Sequence, residues 1–561
     1  MSAGSETAPR APADRSHPAS VRTGVRAWNA LLLVSFVTGV ALRVWQIDIQ
    51  ILIDDEWHAV HKLLRAGSLD ILTHLGYADY SIPLTLYYQA LYRTIGLSEW
   101  GMHVPPLLAG IGLLLIGPRL LARVVPLSVR GVWTALVATS PLLVYHSKVA
   151  RPYAITSLLT FVAIIAFHAW WRDRRPRDGA VYAIATVLAG WLHATTLPFT
   201  LLPFVFHGAR ALRPLDRRAL LRLTRLGAVT ALPLVLVLLP PFLNDWSQIG
   251  QKAGRDAVTL ESVYRSELML AGTASAGVGV LFGVAAFAGF RRLVRRDAVF
   301  AWYLASVIGI AAVVVAATGA EWIVHPLVLA RYLIPALPFL LLFAAEGVVG
   351  ALQFIRRPAV EAVAAAVLFG ALLVAGPIAT QWHFPNQFWG HLRYQFDYNP
   401  AHNPYVLQVP HDPVPAFYAE LAKRPPGSVT LVEAPWRLES HFNALSLFQD
   451  VHHQLIQVGL VTPACGTYDY GEYPEDPRMR MREFVHLSAL LRGETGRADY
   501  LVIHPKPHQV AAQPDRWPDM SGCLPRIEAR FGPPIYRDDR IVVFALAQVS
   551  PLGNTRRTVQ Q

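Results

Sequence analysis

The stretch GAVYAIATVLAGWLHATTLPFTLLPFVFHGA, residues 179–209, can cross a bilayer once as a long span or twice as two short spans turning near His193. The arginines on either side of it decide between the two. Cytoplasmic links of membrane proteins collect Lys and Arg. Here such links hold Arg119, Arg123 and Arg130; then Arg172, Arg174, Arg175 and Arg177; then Arg210, Arg213, Arg217, Arg218, Arg222 and Arg225. Arg291, Arg292, Arg295 and Arg296 follow, and Arg356 with Arg357 form the last cluster. All five clusters share one side only if residues 179–209 cross twice. A single span there would put the later clusters out of phase.

Outward from this stretch lie further apolar runs at residues 28–45, 101–118, 131–147, 153–170, 226–243, 269–289, 298–317, 327–348 and 359–379. The expectation is an α-helical multi-pass membrane protein with about eleven transmembrane helices. Arg10, Arg15, Arg22 and Arg26 precede the first, so the N-terminus is cytoplasmic and the C-terminus outside. Composition agrees: 53% of the 561 residues are hydrophobic and 16% charged, where a soluble protein carries about 25% charged. The net charge of +12 lies largely in the short arginine-rich links, which argues against nucleic acid as a partner.

Residues 1–27, rich in Ala, Pro, Ser and Arg, read as a disordered cytoplasmic tail and not as a cleaved signal. The membrane domain is expected over 28–380, with a first outer loop at 48–100 that contains an amphipathic, interface-type segment at 83–95. Residues 381–561 read as an extracytoplasmic α/β domain, with strands near 429–432, 453–460, 500–503 and 541–546 and helices near 415–422 and 481–491. Its Cys465 and Cys523 are the chain's two cysteines. They are either unrelated thiols or, outside the cytoplasm, a disulfide.

Polar groups at membrane depth are costly and invite a functional reading. Asp54, Asp55 and Glu56 follow the first span directly, then Trp57 and His58. Three adjacent carboxylates suit a cation, a raised pKa or a basic partner, and equally the N-terminus of a helix over 57–66. Lys148 and Arg151 occupy an outer turn, against the positive-inside bias, though snorkelling at an interface would explain them too. Arg331 interrupts the apolar run at 327–342; at the centre of a span it would cost roughly 2.5–3.5 kcal/mol, so a polar cavity and an anion are expected beside it. His193 by itself reads as a packing residue. Arg255, Asp256, Glu261, Tyr264 and Arg265 read as a solvated loop.

A carboxylate can take a proton from an attacking hydroxyl, and arginines can hold a departing phosphate. Outside the cytoplasm, where nucleotide sugars are absent, an activated group must arrive on a lipid phosphate. The order of motifs resembles the polytopic glycosyltransferases of the C-type fold, in particular the bacterial family 39-like members related to protein mannosyltransferases and aminoarabinose transferases. Asp55-Glu56 matches the family's Asp-Glu pair of the first outer loop, which implies Asp55 as catalytic base. Asp79 opens a block whose His and first Pro positions hold Ser81 and Ile82. Residues 145–153, Tyr-His-Ser-Lys-Val-Ala-Arg-Pro-Tyr, match a block whose acidic position is Val149 here. Arg151 inherits a lipid-phosphate contact from that match, and Lys148 offers positive charge where a metal would otherwise serve. Leu192-His193-Ala194 matches a short His-containing turn, and residues 330–338, with Arg331 and Tyr332, match the family's Arg-Tyr-Leu-x-Pro-x-x-Pro.

The resemblance implies a transferase moving a monosaccharide from a polyprenyl-phosphate donor to a lipid, glycan or protein acceptor at the outer face of the cytoplasmic membrane, with inversion. Asp55, Glu56 and Asp54 are the expected catalytic acids. Arg151, Lys148 and Arg331 are expected on the donor phosphate, and His58, Asp79, Tyr153, His193 and Tyr332 around the substrates. A divalent cation, Mg or Mn, on Asp55 and Glu56 is the one cofactor considered. The rival readings are transfer of another lipid-linked group, a transporter or flippase, and an inactive relative acting in assembly.

Overall fold

The computed structural model describes residues 18–45, 47, 52, 54–75, 81–213, 215–273, 275–375, 378, 413–435, 448, 451–466, 474–481, 484–494, 498–506 and 520–546, without the side chains of 18–21, 54 and 55. Helix α1 (Pro18–Val44) is followed by three short helices, α2 (Asp54–Arg65), α3 (Ser68–Thr73) and α4 (Ile82–Thr94). Then come α5 (Glu99–Leu121), α6 (Leu127–Thr139), α7 (Pro141–His146), α8 (Tyr153–Asp173), α9 (Pro176–Leu192), α10 (Leu197–Ala211) and α11 (Arg217–Asn244). Helices α12 (Trp246–Lys252), α13 (Leu260–Ala271), α14 (Ala276–Arg296), α15 (Ala298–Ala317), α16 (Pro326–Leu333), α17 (Leu337–Leu352) and α18 (Pro358–Ala375) complete the helical part. Among the described residues, eight helical segments are long and apolar enough to cross a bilayer, by length and composition. Each of the eleven apolar runs contains at least one helix among the described residues.

Residues 179–209 form two helices. α9 stops at Leu192, a 3-10 turn covers Ala194–Thr196, and α10 runs back. Tyr182 and Phe204, each eleven positions from His193, meet at 5.6 Å between ring centroids. The Tyr182 hydroxyl donates to the Thr200 carbonyl at 2.7 Å. This is the contact pattern of an antiparallel pair.

Three apolar runs expected as continuous are broken. The run at 269–289 divides between α13, which ends at Ala271 before a left-handed Gly272, and α14, which starts at Ala276. The other two break at proline. Residues 131–147 divide into α6 and α7 because Pro141 brings no N–H and holds Ser140 extended, at φ −64° and ψ 113°. The carbonyls this frees at the end of α6 are met by Arg43 of α1, which is fully buried. Its guanidinium donates to Val137 O at 3.1 Å and Ala138 O at 3.5 Å, and also to Gly39 O at 2.9 Å and Ser147 Oγ at 3.1 Å. The run at 327–348 divides at a 3-10 turn over Ile334–Ala336 that contains Pro335. Arg331 therefore lies in the last turn of α16, beside a break, and not at the centre of a continuous span.

Beyond residue 412 the described chain forms a six-stranded sheet: β1 (Thr430–Ala434), β2 (Leu455–Leu460), β3 (Phe484–His486), β4 (Tyr500–Ile503), β5 (Tyr536–Arg537) and β6 (Val542–Ala545). The order is β3-β2-β1-β4-β6-β5; the first four are parallel and β6 and β5 antiparallel. Helices α19 (Ala416–Leu421), α20 (Leu487–Arg492) and α21 (Leu524–Phe531) accompany it. The helix expected at 481–491 is in fact strand β3 followed by α20. Alternation divides the side chains. Val432, Leu501, Ile503 and Phe544 pack with Cys523 and Ile527 on one face. Leu431, Val502 and Val543 face the opposite way. Glu433, buried with the second set, accepts from Tyr418 at 2.9 Å and lies 2.5 Å from His504 Nε2. Burial pushes its carboxyl up to about 8 and the His504 imidazole down to about 3, so both are drawn toward neutrality.

Cys465 and Cys523 form a disulfide across 58 residues, with 4.9 Å between Cα atoms. The double replacement Cys465→Ser, Cys523→Ser is expected to cost the sheet domain about 2–5 kcal/mol. It would appear as a lower thermal midpoint that added reductant no longer changes, whereas reductant lowers the wild-type midpoint to the same value.

Candidate functional site

At the end of the bundle away from the arginine clusters, the ring of Tyr153 gathers groups from four segments. Tyr153 opens α8, whose far end carries Arg172. The Arg151 guanidinium stands 5.9 Å from its ring centroid and that of Arg331 5.5 Å. His146, at the end of α7, meets the ring at 5.0 Å, and His193, at the turn between α9 and α10, at 5.5 Å. Tyr332 closes the group, 5.7 Å from His193 and 5.6 Å from the Arg331 guanidinium. The helix breaks make this possible: α7 ends, α16 ends and α9 turns at one level, so side chains from four segments point at one another. The amino end of α8, with its forward-facing N–H groups, adds partial positive charge to two guanidinium groups. Such a place suits an anion.

The acidic helix is tied to the same turn. Glu56, fully buried, accepts from the backbone N–H of Ala150, the residue before Arg151, and its Oε1 lies 3.0 Å from His103 Nε2 of α5. Tyr88 of α4 donates to the Ala150 carbonyl at 3.0 Å. Thus α2 and α4 hold Ala150 by both its N–H and its C=O. The three acids do occupy the first turn of α2, where carboxylates are favoured; Glu56 adds a cross-chain bond that a helix-end preference does not require.

The remaining expected residues are less uniform. Lys148 is buried and donates to the carbonyl of Trp45, just past α1, at 2.5 Å. His58 is half-buried on α2. The Asp54 and Asp55 side chains lie outside the described residues, although both belong to α2; Asp79 lies wholly outside them. In the loop before α13, Arg255 pairs with Glu321 at 2.7 Å, as a solvated loop would. Glu261, Tyr264 and Arg265, expected in that loop, instead lie in α13, where Arg265 pairs with Glu261 one turn away. Arg43, His103 and His146 were not singled out from sequence. Arg43 carried a signal, a cation at the end of an apolar run; the two histidines carried none.

Asp55 and Glu56 would be the ligands of a divalent cation. Glu56 Oε1 is already engaged by His103 and by the Ala150 N–H, so Glu56 does not fit as a bidentate ligand. Among the described residues no three His, Cys, Asp or Glu side chains gather as a metal set.

Fold and site together define a polytopic membrane protein with a cluster of cationic and aromatic side chains at one end of its helices and an α/β sheet domain. No protein-family model matches the chain, and no curated protein matches it. Among solved structures, the chain is similar to ArnT from Cupriavidus metallidurans bound to undecaprenyl phosphate, with a TM-score of 0.45 and 14% identity over 94% of this chain and 99% of that one. It is similar also to the apo form of that protein, with a TM-score of 0.45 and 13% identity over 96% and 100% of the two chains.

Proposed function

We propose that this protein is a glycosyltransferase that uses a polyprenyl-phosphate-linked monosaccharide at the outer face of the membrane. The observation that carries the reading is the tie between Glu56 and Ala150, which brings the acidic helix against a turn whose Arg151 shares the Tyr153 ring with Arg331. The two guanidinium groups and the amino end of α8 hold the donor phosphate. Asp55 takes the proton of the acceptor hydroxyl as its oxygen attacks the anomeric carbon. The new C–O bond forms opposite the one that breaks, the bonding pair leaves with the polyprenyl phosphate, and the configuration inverts. Glu56 fixes the helix that carries Asp55, and no step passes through a metal. The disulfide of the sheet domain supports an oxidising compartment for that domain.

The test uses purified full-length protein in liposomes with a labelled polyprenyl-phosphate sugar. Release of polyprenyl phosphate with inverted product is expected. Donor movement across the bilayer without transfer would favour a flippase instead. Arg151→Met and Arg331→Met are each expected to raise the donor KM about 10–100-fold, the loss of one charged hydrogen-bonded contact worth roughly 1.5–3 kcal/mol. A steady-state titration of donor checks this.

A further inference from the structure

The sheet domain is in direct contact with the acidic helix. Trp57, the residue after Glu56, is fully buried, and its ring meets Phe484 of β3 edge-on at 4.6 Å between centroids. A second seam lies beside the first. Leu97, just past α4, pairs with Met479 as a parallel bridge: Leu97 N–H donates to the Arg478 carbonyl and Arg480 N–H to the Leu97 carbonyl, each at 2.7 Å. Tyr92 of α4 donates to Asp476 at 2.7 Å, while the Arg478 guanidinium covers the Tyr92 ring at 4.4 Å. Gly96 turns the chain into this seam at φ +89°, and a Cβ there would press on the Arg480 side chain. Trp57, Val60, Tyr88 and Leu97 belong to one continuous core with Leu431 and Phe484. An aromatic pair and a bonded seam between two parts of a chain fix their relative position far better than a linker does.

We propose that the sheet domain positions the catalytic base, with Phe484 as the positioning residue that holds α2 through Trp57. This rests on the transferase reading. A general base must stand within hydrogen-bond reach of the proton it takes, and a displacement of about 1 Å can cost about 100-fold in rate. The donor phosphate is gripped by Arg151 and Arg331. The Arg151 turn meets α2 through the Glu56 bond but is held as well by Tyr88 of α4 at the Ala150 carbonyl and by the start of α8, and Arg331 comes from α16, so this grip outlasts a loosening of α2. Phe484 therefore acts on turnover and not on donor affinity.

The experiment compares full-length Phe484→Ala and Phe484→Tyr by transfer kinetics and by hydrogen exchange of α2. Phe484→Ala should lower kcat about 10–100-fold with donor KM within about twofold, and speed exchange over residues 54–65 while α8 stays protected. Phe484→Tyr, which keeps the ring, should restore both. If Phe484→Ala disturbs β1 and β4 as well, Gly96→Val, which wedges the seam from the loop side, replaces it with the same expectation. Unchanged α2 exchange, or unchanged kcat with α2 loosened, would overturn the inference. Wild-type protein that transfers nothing while Phe484→Ala still loosens α2 would overturn the transferase reading and leave the tether standing.

Discussion

Asp55→Asn is expected to lower sugar transfer by about 10²–10⁴-fold, the usual contribution of a general base, while yield and affinity for polyprenyl phosphate stay as in the wild type. Asn has the shape of Asp and keeps its hydrogen-bonding reach, but it cannot take a proton at neutral pH. The effect on the fold should be small. Position 55 is in the first turn of α2, where exchanging a carboxylate for an amide costs about 0.3–1 kcal/mol, and the helix is held by Glu56 and Trp57. Glu56→Gln is the contrasting variant: its change falls on a fully buried group bonded to His103 and Ala150, so it should reduce folded protein as well as turnover. Transfer assays on matched amounts of folded protein separate the two. Near-normal turnover in Asp55→Asn would remove Asp55 as the base.

What was legible in the sequence follows from where physics is local. Apolar runs announce helices because lipid offers backbone groups no alternative partner, and the phase of the arginine clusters was enough to expect the fold-back at His193. The strand over residues 500–503 was readable from its β-branched and aromatic run. The two-residue β5 and three-residue β3 were not, because strands so short carry almost no periodicity. Helix breaks at Pro141 and Pro335 were hidden because hydropathy continues across them. In the site, Arg331 stood out as a guanidinium inside an apolar run, and Arg151 as a cation at an outer turn, against the positive-inside bias. The partners of Glu56 did not: His103 lies 47 positions away and Ala150 94, and neither spacing follows from any local rule. The same holds for Arg43, whose charge was visible but whose duty to the carbonyls of α6 was not.

The second large effect concerns packing. Gly347→Val is expected to abolish most folded protein, with a loss on the order of 3–5 kcal/mol. Helices α14 and α17 cross in backbone contact: a Cβ at Gly347 would overlap the Ala285 carbonyl, and one at Gly289 would overlap that of Phe343. In lipid, small residues let helices approach this closely, and dispersion along the seam replaces the hydrophobic drive available in water. Next to Gly347, Glu346 is fully buried and receives Arg292 at 3.2 Å and Arg296 at 2.5 Å, both from α14. Forcing the helices apart withdraws these arginines and leaves a carboxylate buried without its partners, which is where most of the cost arises. Gly370→Val on α18 is the control, since nothing stands within 4 Å of a Cβ there. Detergent-solubilised yield and thermal midpoint should fall for Gly347→Val and hold for Gly370→Val. Equal behaviour of the two would mean that the α14–α17 contact is looser than these atoms place it, and that the Glu346 pair stands without it.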